Sequence, residues 1–372
     1  MQTIGIIGSN GFLGWHLRCL LSVQEGIEIL CCTKDNFLSD SFLRTFVKKC
    51  DVIVHLGGVN RGTDEELLEN VFIAERLVEA LKNEEVTPHV LYSSSTHIAR
   101  ETVYGKAKRL AGNLIDNWAN ESSGNFTNVI FPNLYGECGK PFYNSVVATF
   151  CHQIATGDKP RIEQDAELEI LHAGDASRYL FDAIQNKEYG VRKPEGHVIT
   201  VSALLETIIT LDSSYKLGVV PELHCPFIQR LFNTYRSYWY PTKYPVLVQE
   251  HSDNRGSLFE GVKTKHGGQA FLSSTKPSIT RGNHFHFAKF ERFLVVQGNA
   301  IIRLRKLFSD EVIEFTVSGE VACYIDIPTL HTHNITNIGD SELLTFFWSN
   351  EIFDPENPDT YPNTVTDEGA SI

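Results

Sequence analysis

The first fifteen residues constrain the fold more than any other part of the chain. An apolar run, Ile4 to Ile7, leads into Gly8-Ser9-Asn10-Gly11-Phe12-Leu13-Gly14 and then a helix-like stretch, Trp15 to Ser22. A glycine turn between a buried strand and a helix lets the backbone approach a pyrophosphate and aims helix N-terminal amides at it. Three glycines near a turn are commonly turn chemistry alone. In the first strand-turn-helix of a chain, the GxxGxxG spacing predicts a dinucleotide site lined by Gly8, Gly11, Phe12, Leu13 and Gly14.

The following strands extend that reading. The run Ile27 to Cys32 ends in Thr33 and Lys34, with the first acid, Asp35, one place beyond the position that would hold an NAD ribose hydroxyl. Lys34 either neutralises a 2′-phosphate, which favours NADP, or is a solvated loop residue. "DVIVHLGG" (Asp51 to Gly58) ends in small residues, so Leu56 and Gly57 leave room for the dinucleotide. The strand His89 to Tyr92 delivers Ser93, Ser94 and Ser95 to its end, and Tyr104 precedes Lys108 by one helical turn, so the two share a face. A phenol has an ordinary pKa of about 10. A nearby ammonium, with the positive nicotinamide, favours phenolate and brings the group into acid-base range. A lone YxxxK is usually an exposed pair; after a glycine turn and a serine-rich strand end it predicts a catalytic site.

At 372 residues the chain exceeds one hydrophobic core, which predicts two domains, 1–243 and 244–372. A net charge of -13 excludes a nucleic-acid surface but leaves room for a local basic pocket around a small phosphorylated ligand. The first apolar run is too short to span a bilayer and lacks a basic leader, so no membrane partner and a cytoplasmic location are expected. Eight cysteines without CxxC spacing fit thiols in a reducing compartment.

"VSALLETIITL" reads as a helix, and the aromatic "NTYRSYWYPTKYPVL" (Asn233 to Leu247) as a linker packed against both domains. From about Pro245 short strands dominate: "FLVVQG", "AIIRLRKL", "VIEFTV", "CYIDIP" and "LLTFFWS" predict a sandwich or barrel. On it, His284 and His286 alternate along a strand and face one way; Glu291 follows a turn, and "IPTLHTHNITN" adds His331 and His333. Imidazoles with one carboxylate form a site for zinc or another first-row divalent ion, or line a metal-free acid-base pocket.

Residues 1 to about 205 resemble the extended short-chain dehydrogenase/reductase family through "HLGG", "SSS", "YGKAK" and "FPNLYG". The resemblance implies a Rossmann-like, doubly wound parallel sheet, with Tyr104 as general acid, Lys108 its partner and Ser95 the third hydroxyl; Ser94 and Thr96 compete for that role. It places Pro132 against the nicotinamide and Asn133 on the sugar diphosphate. Only eight residues separate Ser95 from Tyr104, and "LHAGDAS" replaces the usual stretch around Asp175, whose substrate role is left open. The histidine pattern, with Gly298, a proline-led turn and Asn337, is similar to the two motifs of the cupin family, an all-β jelly-roll barrel. Ser278 and Leu330 stand where the motifs expect glycine. That resemblance implies the ligand set His284, His286, Glu291 and His333, with His331 outside it.

Nearly the whole chain resembles the bifunctional CapF-type enzymes of capsule and O-antigen synthesis, through "HLGGVNRG", "SSSTHI", "NLYGECGKPFYNSVVATFCHQIA", "DNRGSLFE", "KPSITRGNHFH", "FLVVQGNAIIR" and "FDPENPDTY". The resemblance implies that a UDP-linked 4-keto-6-deoxy-N-acetylhexosamine is epimerised at C3 by the cupin domain. The reductase domain then reduces C4 with NADPH, giving UDP-N-acetyl-6-deoxytalosamine on the route to N-acetylfucosamine. Substrate would touch Lys140, Asn144 and Ser145 in the reductase and Lys276 and Arg281 in the cupin. His286 is the first candidate for the C3 base, with His284 and a remote tyrosine also open. A homodimer through the cupin would cover its strand edges. The rival readings are a 4-ketoreductase whose cupin only dimerises it, and a non-enzymatic NADP-sensing protein.

Overall fold

The computed structural model describes residues 1–248, 250–253, 256–259, 261–264, 268–351 and 354–366. Asn254, Arg255 and Glu260 of "DNRGSLFE" and Phe353 of "FDPENPDTY" lie outside the described residues. The chain forms two compact units, 1–149 with 162–204, and 150–161 with 205–372.

The first unit is built on a six-stranded parallel sheet in the spatial order Ile27–Cys32, Gln2–Ile7, Val52–His55, His89–Ser95, Phe126–Phe131, Gly190–Arg192. Its strands are apolar on both sides because both faces are covered. Ile4 and Ile6 bury one face against Leu13, Leu17 and Leu180. Ile7, Ile53 and Val90 bury the other against Leu77, Ala111 and Ile115. The connections leave the first strand in opposite directions, to Ile27–Cys32 on one side and Val52–His55 on the other. The crevice at the carboxyl ends of such diverging strands is where doubly wound sheets bind ligands. A smaller sheet joins Asn133–Tyr135, Glu167–His172 and His197–Thr200.

The first helix begins at Phe12, not at Trp15 as the apolar pattern suggests, because Gly11 is its extended N-cap and accepts the Trp15 amide at 2.8 Å. Gly14 therefore lies inside the first turn, where an added Cβ would stand 2.2 Å from the Gly8 carbonyl oxygen.

In the second unit the aromatic stretch is not a linker at its start. Asn233 to Arg236 end the helix Pro226–Arg236, and Phe232, Tyr235, Trp239 and Tyr244 are buried. The predicted strands are all present, as Glu291–Gln297, Asn299–Lys306, Val312–Ser318, Cys323–Ile327 and Leu343–Ser349. They fall in two antiparallel five-stranded sheets. One holds Cys323–Ile327, Glu291–Gln297 and Leu343–Ser349; the other holds Val312–Ser318, Asn299–Lys306, His331–Asn337 and Thr280–Phe285. The sheets face each other: Phe293 of the first has its ring 5.7 Å from His333 of the second. A buried bidentate pair, Arg292 to Asp326 at 2.7 and 2.9 Å, sits in this unit; Tyr215 donates to the same carboxylate. Among the described residues no helix is long and apolar enough to cross a membrane.

Candidate active site and metal centre

Gly8 adopts φ +81°, and an added Cβ would stand 2.7 Å from the Gly57 amide nitrogen. The glycine turn is thus pressed against the end of the third strand, which brings Gly8, Gly11, Leu56 and Gly57 into one crevice. No side chain caps the helix that follows. Its first amides are left as donors, which suits an anionic pyrophosphate. Lys34 is exposed at the start of a short helix after the second strand. Pro132 is buried directly after the fifth strand of the sheet.

Tyr104 and Lys108 lie in the helix Val103–Ser122, whose N-cap Thr102 accepts the Gly105 amide at 3.1 Å. Burial pushes the Tyr104 phenol up to about 12, against a hydrogen bond from Ser95 that pulls it down. The protonated phenol therefore prevails at neutral pH, the form a proton donor needs. Among the three candidate hydroxyls Ser95 is the one that acts on the Tyr104 phenol, pulling its pKa down; Ser94 Oγ is buried without a partner and Thr96 opens the next 3-10 turn. Lys108 is buried, with Nζ 4.5 Å above the Tyr92 ring. Burial lowers its pKa to about 7.

Two features here were not singled out from the sequence. Tyr104 Oη donates to Asn60 Oδ1 at 3.2 Å, across 44 residues of chain. Behind the Asn133–Tyr135 strand, the Glu137 carboxylate is fully buried and accepts from His172 Nε2 at 3.0 Å, while His16 Nε2 donates to the Glu137 carbonyl at 3.0 Å. Its pKa falls to about 2; burial works against this, and the two histidines outweigh it. This cluster ties the phosphate-side helix to the start of the loop carrying Lys140, Asn144 and Ser145. On that loop Lys140 and Asn144 are exposed, Lys140 lies 5.3 Å over the Tyr143 ring, and Ser145 accepts the Ala148 amide. Asn133 is exposed and donates to the Glu169 carbonyl; Asp175 stands in the first turn of the helix Ala173–Gln185.

In the second unit, His284, His286, Glu291 and His333 converge, one ligand atom from each lying within 4.8 Å of the others. Glu291 opens a strand of one sheet, and the histidines come from the other sheet and the turn beyond it. Glu291 Oε2 lies 3.4 Å from His286 Nε2 and 3.3 Å from His333 Nε2. A charge-assisted hydrogen bond runs about 2.7–2.9 Å. Four ligands at about 2.1 Å from a tetrahedral zinc are about 3.4 Å apart, which the two glutamate–histidine distances match. Both Nε2 atoms are buried without a hydrogen-bond partner, while the Nδ1 atoms donate to backbone carbonyls, His286 to Asp359 at 2.6 Å and His333 to His331 at 3.3 Å. Such outer bonds fix the tautomer that turns an Nε2 lone pair inward. Burial and the adjacent imidazoles push His284 down to about 3, so all its ligand capacity is present at neutral pH. The four residues fit a divalent metal. His331 stays outside the cluster, its ring 4.6 Å from Tyr240. With Nδ1 of His286 occupied, one nitrogen remains for two predicted roles, ligand and C3 base.

Ser278 and Leu330, where the motif expects glycine, take φ of +61° and +60°. The left-handed backbone survives the change of residue, and the Leu330 amide donates to the His286 carbonyl at 2.9 Å. Lys276 is exposed in the turn before this strand, and Arg281, also exposed, donates to the Ser274 carbonyl.

Residues 4–199 match the NAD dependent epimerase/dehydratase family, and residues 251–361 match the polysaccharide biosynthesis C-terminal domain. The chain belongs to the NAD dependent epimerase/dehydratase family. It is 31% identical, over 98% of its length and 99% of the relative's, to the UDP-2-acetamido-2,6-beta-L-arabino-hexul-4-ose reductase of Pseudomonas aeruginosa. Its structure resembles that of the capsular polysaccharide assembling protein CapF from Staphylococcus aureus, with a TM-score of 0.62 and 33% identity over 98% of this chain and all of that one. The CapF-type resemblance read from the motifs is borne out. A UDP-N-acetylglucosamine 4-epimerase from Bacillus cereus, 18% identical with a TM-score of 0.51 over 57% of this chain and 82% of its own, shares the fold alone.

Proposed function

We propose that the chain is a bifunctional nucleotide-sugar enzyme of capsule or O-antigen synthesis. Its N-terminal part, residues 1–243, reduces a C4 ketone with NADPH, and its C-terminal part, residues 244–372, is a cupin jelly roll that epimerises C3. The substrate is a UDP-2-acetamido-2,6-dideoxy-4-hexulose and the product UDP-N-acetyl-6-deoxytalosamine. The observation that carries this reading is the protonated Tyr104 on the same helix as buried Lys108, next to the strand that ends in Ser95, on a chain that also gathers four residues able to hold a metal.

Loss of the C3 proton beside a ketone gives an enolate, and return of a proton to the opposite face inverts C3. In this reading His284, His286, Glu291 and His333 hold a divalent metal, zinc by its donor set, which when bound supplies a Lewis acid for the enolate oxygen. His286 and His284 then serve as ligands, so the base that takes the C3 proton and returns it to the other face is the remaining candidate, a tyrosine. Lys276 and Arg281 receive the substrate's negative charge. In the reductase, NADPH when bound would supply a hydride for C4. Tyr104 gives its proton to the C4 oxygen, Ser95 orients that oxygen, and Lys108 holds the ribose and favours the phenolate left behind. Gly8, Gly11, Phe12, Leu13 and Gly14 take the pyrophosphate, Lys34 the 2′-phosphate, and Pro132 backs the nicotinamide. Asn133, Lys140, Asn144 and Ser145 take the UDP-sugar. The cupins of two copies pair across exposed strand edges.

The test is incubation of the purified protein with this ketosugar and NADPH, following NADPH absorbance and resolving the sugar by NMR. Oxidation with inverted C3 supports both activities. Oxidation with C3 retained leaves a 4-ketoreductase whose cupin is a scaffold, and no oxidation removes the reductase.

A further inference from the structure

The segment Pro358 to Tyr361 is bound to the metal-ligand loop at several points, four of them on Asp359. Asp359 takes φ of +41°, a left-handed conformation that aspartate tolerates better than most residues. Its carboxylate accepts three consecutive amides, Phe287 at 3.0 Å, Ala288 at 2.8 Å and Lys289 at 2.7 Å. Its own carbonyl accepts His286 Nδ1 at 2.6 Å. The buried Lys289 closes the clamp from the other side, donating to the Pro358 carbonyl at 3.2 Å and to Thr360 Oγ1 at 2.8 Å. One residue thereby holds both ring and backbone of the turn between His286 and Glu291.

We propose that Asp359 is a positioning residue that sets the metal affinity of the four-ligand site, by locking the His286 tautomer and the turn that spaces His286 from Glu291. This rests on the metal reading given above. Without the carboxylate the three loop amides lose their common acceptor, the loop relaxes, and the His286 ring is no longer held at the ligand distance. Supporting partners of metal-bound histidines are commonly worth roughly 10–100-fold in affinity.

The experiment uses the full chain with Co²⁺ and Zn²⁺, reading Co²⁺ visible absorption for coordination geometry and chelator competition for affinity. Asp359→Ala is expected to weaken binding roughly 10–100-fold and alter the cobalt spectrum, with Asp359→Asn between it and wild type, because its amide oxygen keeps part of the acceptor role. Arg305→Met is the control. Arg305 tethers the neighbouring Asn363 side chain and Val365 carbonyl at 2.9 and 2.8 Å without touching the loop, so its affinity should stay within about threefold of wild type. Wild-type affinity in Asp359→Ala overturns the inference while leaving the metal site standing. An equal loss in Arg305→Met also overturns it, by showing that any loosening of the C-terminal segment suffices. A wild-type chain that binds neither ion overturns the metal reading and the inference together.

Discussion

Tyr104 Oη donates to Asn60 Oδ1 at 3.2 Å, so the proposed proton donor is aimed from the far side by a residue of the "HLGGVNRG" loop. Tyr104→Phe should reduce NADPH oxidation by at least about 100-fold, the low end of what a positioned acid contributes. Exchange of the C3 hydrogen with solvent deuterium should persist, and its loss in the same variant would break the division of labour between domains. Asn60→Ala removes one neutral hydrogen bond and should cost roughly tenfold in kcat.

Lys108 makes stability depend on pH in a definite direction. Its folded pKa is about 7 because burial disfavours the ammonium, against 10.5 ordinarily. Between those values the unfolded chain binds more protons, so stability rises with pH, and the burial cost is fully present at and below pH 7. That cost is on the order of 4 kcal/mol. Lys108→Met should abolish reduction yet be more stable than wild type at pH 7, with the difference shrinking by about pH 9.5. Denaturant curves of both proteins at the two pH values check it; a constant difference would show that Lys108 is solvated and keeps the pKa of an ordinary lysine.

His333→Ala removes a fully buried imidazole from the four-residue cluster. Its zinc content after dialysis should fall, and C3 exchange should be lost, while NADPH still binds with unchanged affinity. A chelator should reproduce this in the wild type, and re-added metal should restore exchange. Exchange that survives complete metal removal would make the cluster structural.

Asp326 holds Arg292 bidentately with neither side chain exposed, and Tyr215 also donates to it. Asp326→Ala leaves a guanidinium buried without its counterion and should cost about 3–5 kcal/mol by chemical denaturation. Replacing both partners, as Arg292→Met with Asp326→Leu, should recover most of that loss, because the desolvation cost disappears with the charges. A single variant within about 1 kcal/mol of wild type would show that water reaches the pair.

Much of the site was readable locally because its rules are local. Gly8 is required by a positive φ and Gly14 by the approach of the Gly8 carbonyl, and both follow from backbone sterics over a few residues. The four-residue step from Tyr104 to Lys108 gives one helix face, and the strands of both units show in runs of apolar and β-branched residues. Local pattern misleads at two places: Gly14 reads as turn although the first helix begins at Phe12, and the prolines after Tyr240 read as linker although residues up to Arg236 are helical and buried. What tertiary structure alone decided are the long-range pairings: Asn60 with Tyr104, Glu137 with His172 across 35 residues, and His286 with Asp359 across 73. None has a periodicity, since each depends on where separate turns meet once the sheets pack. Ser278 and Leu330 carry the same lesson, keeping the left-handed backbone without glycine because the surrounding strands hold it there.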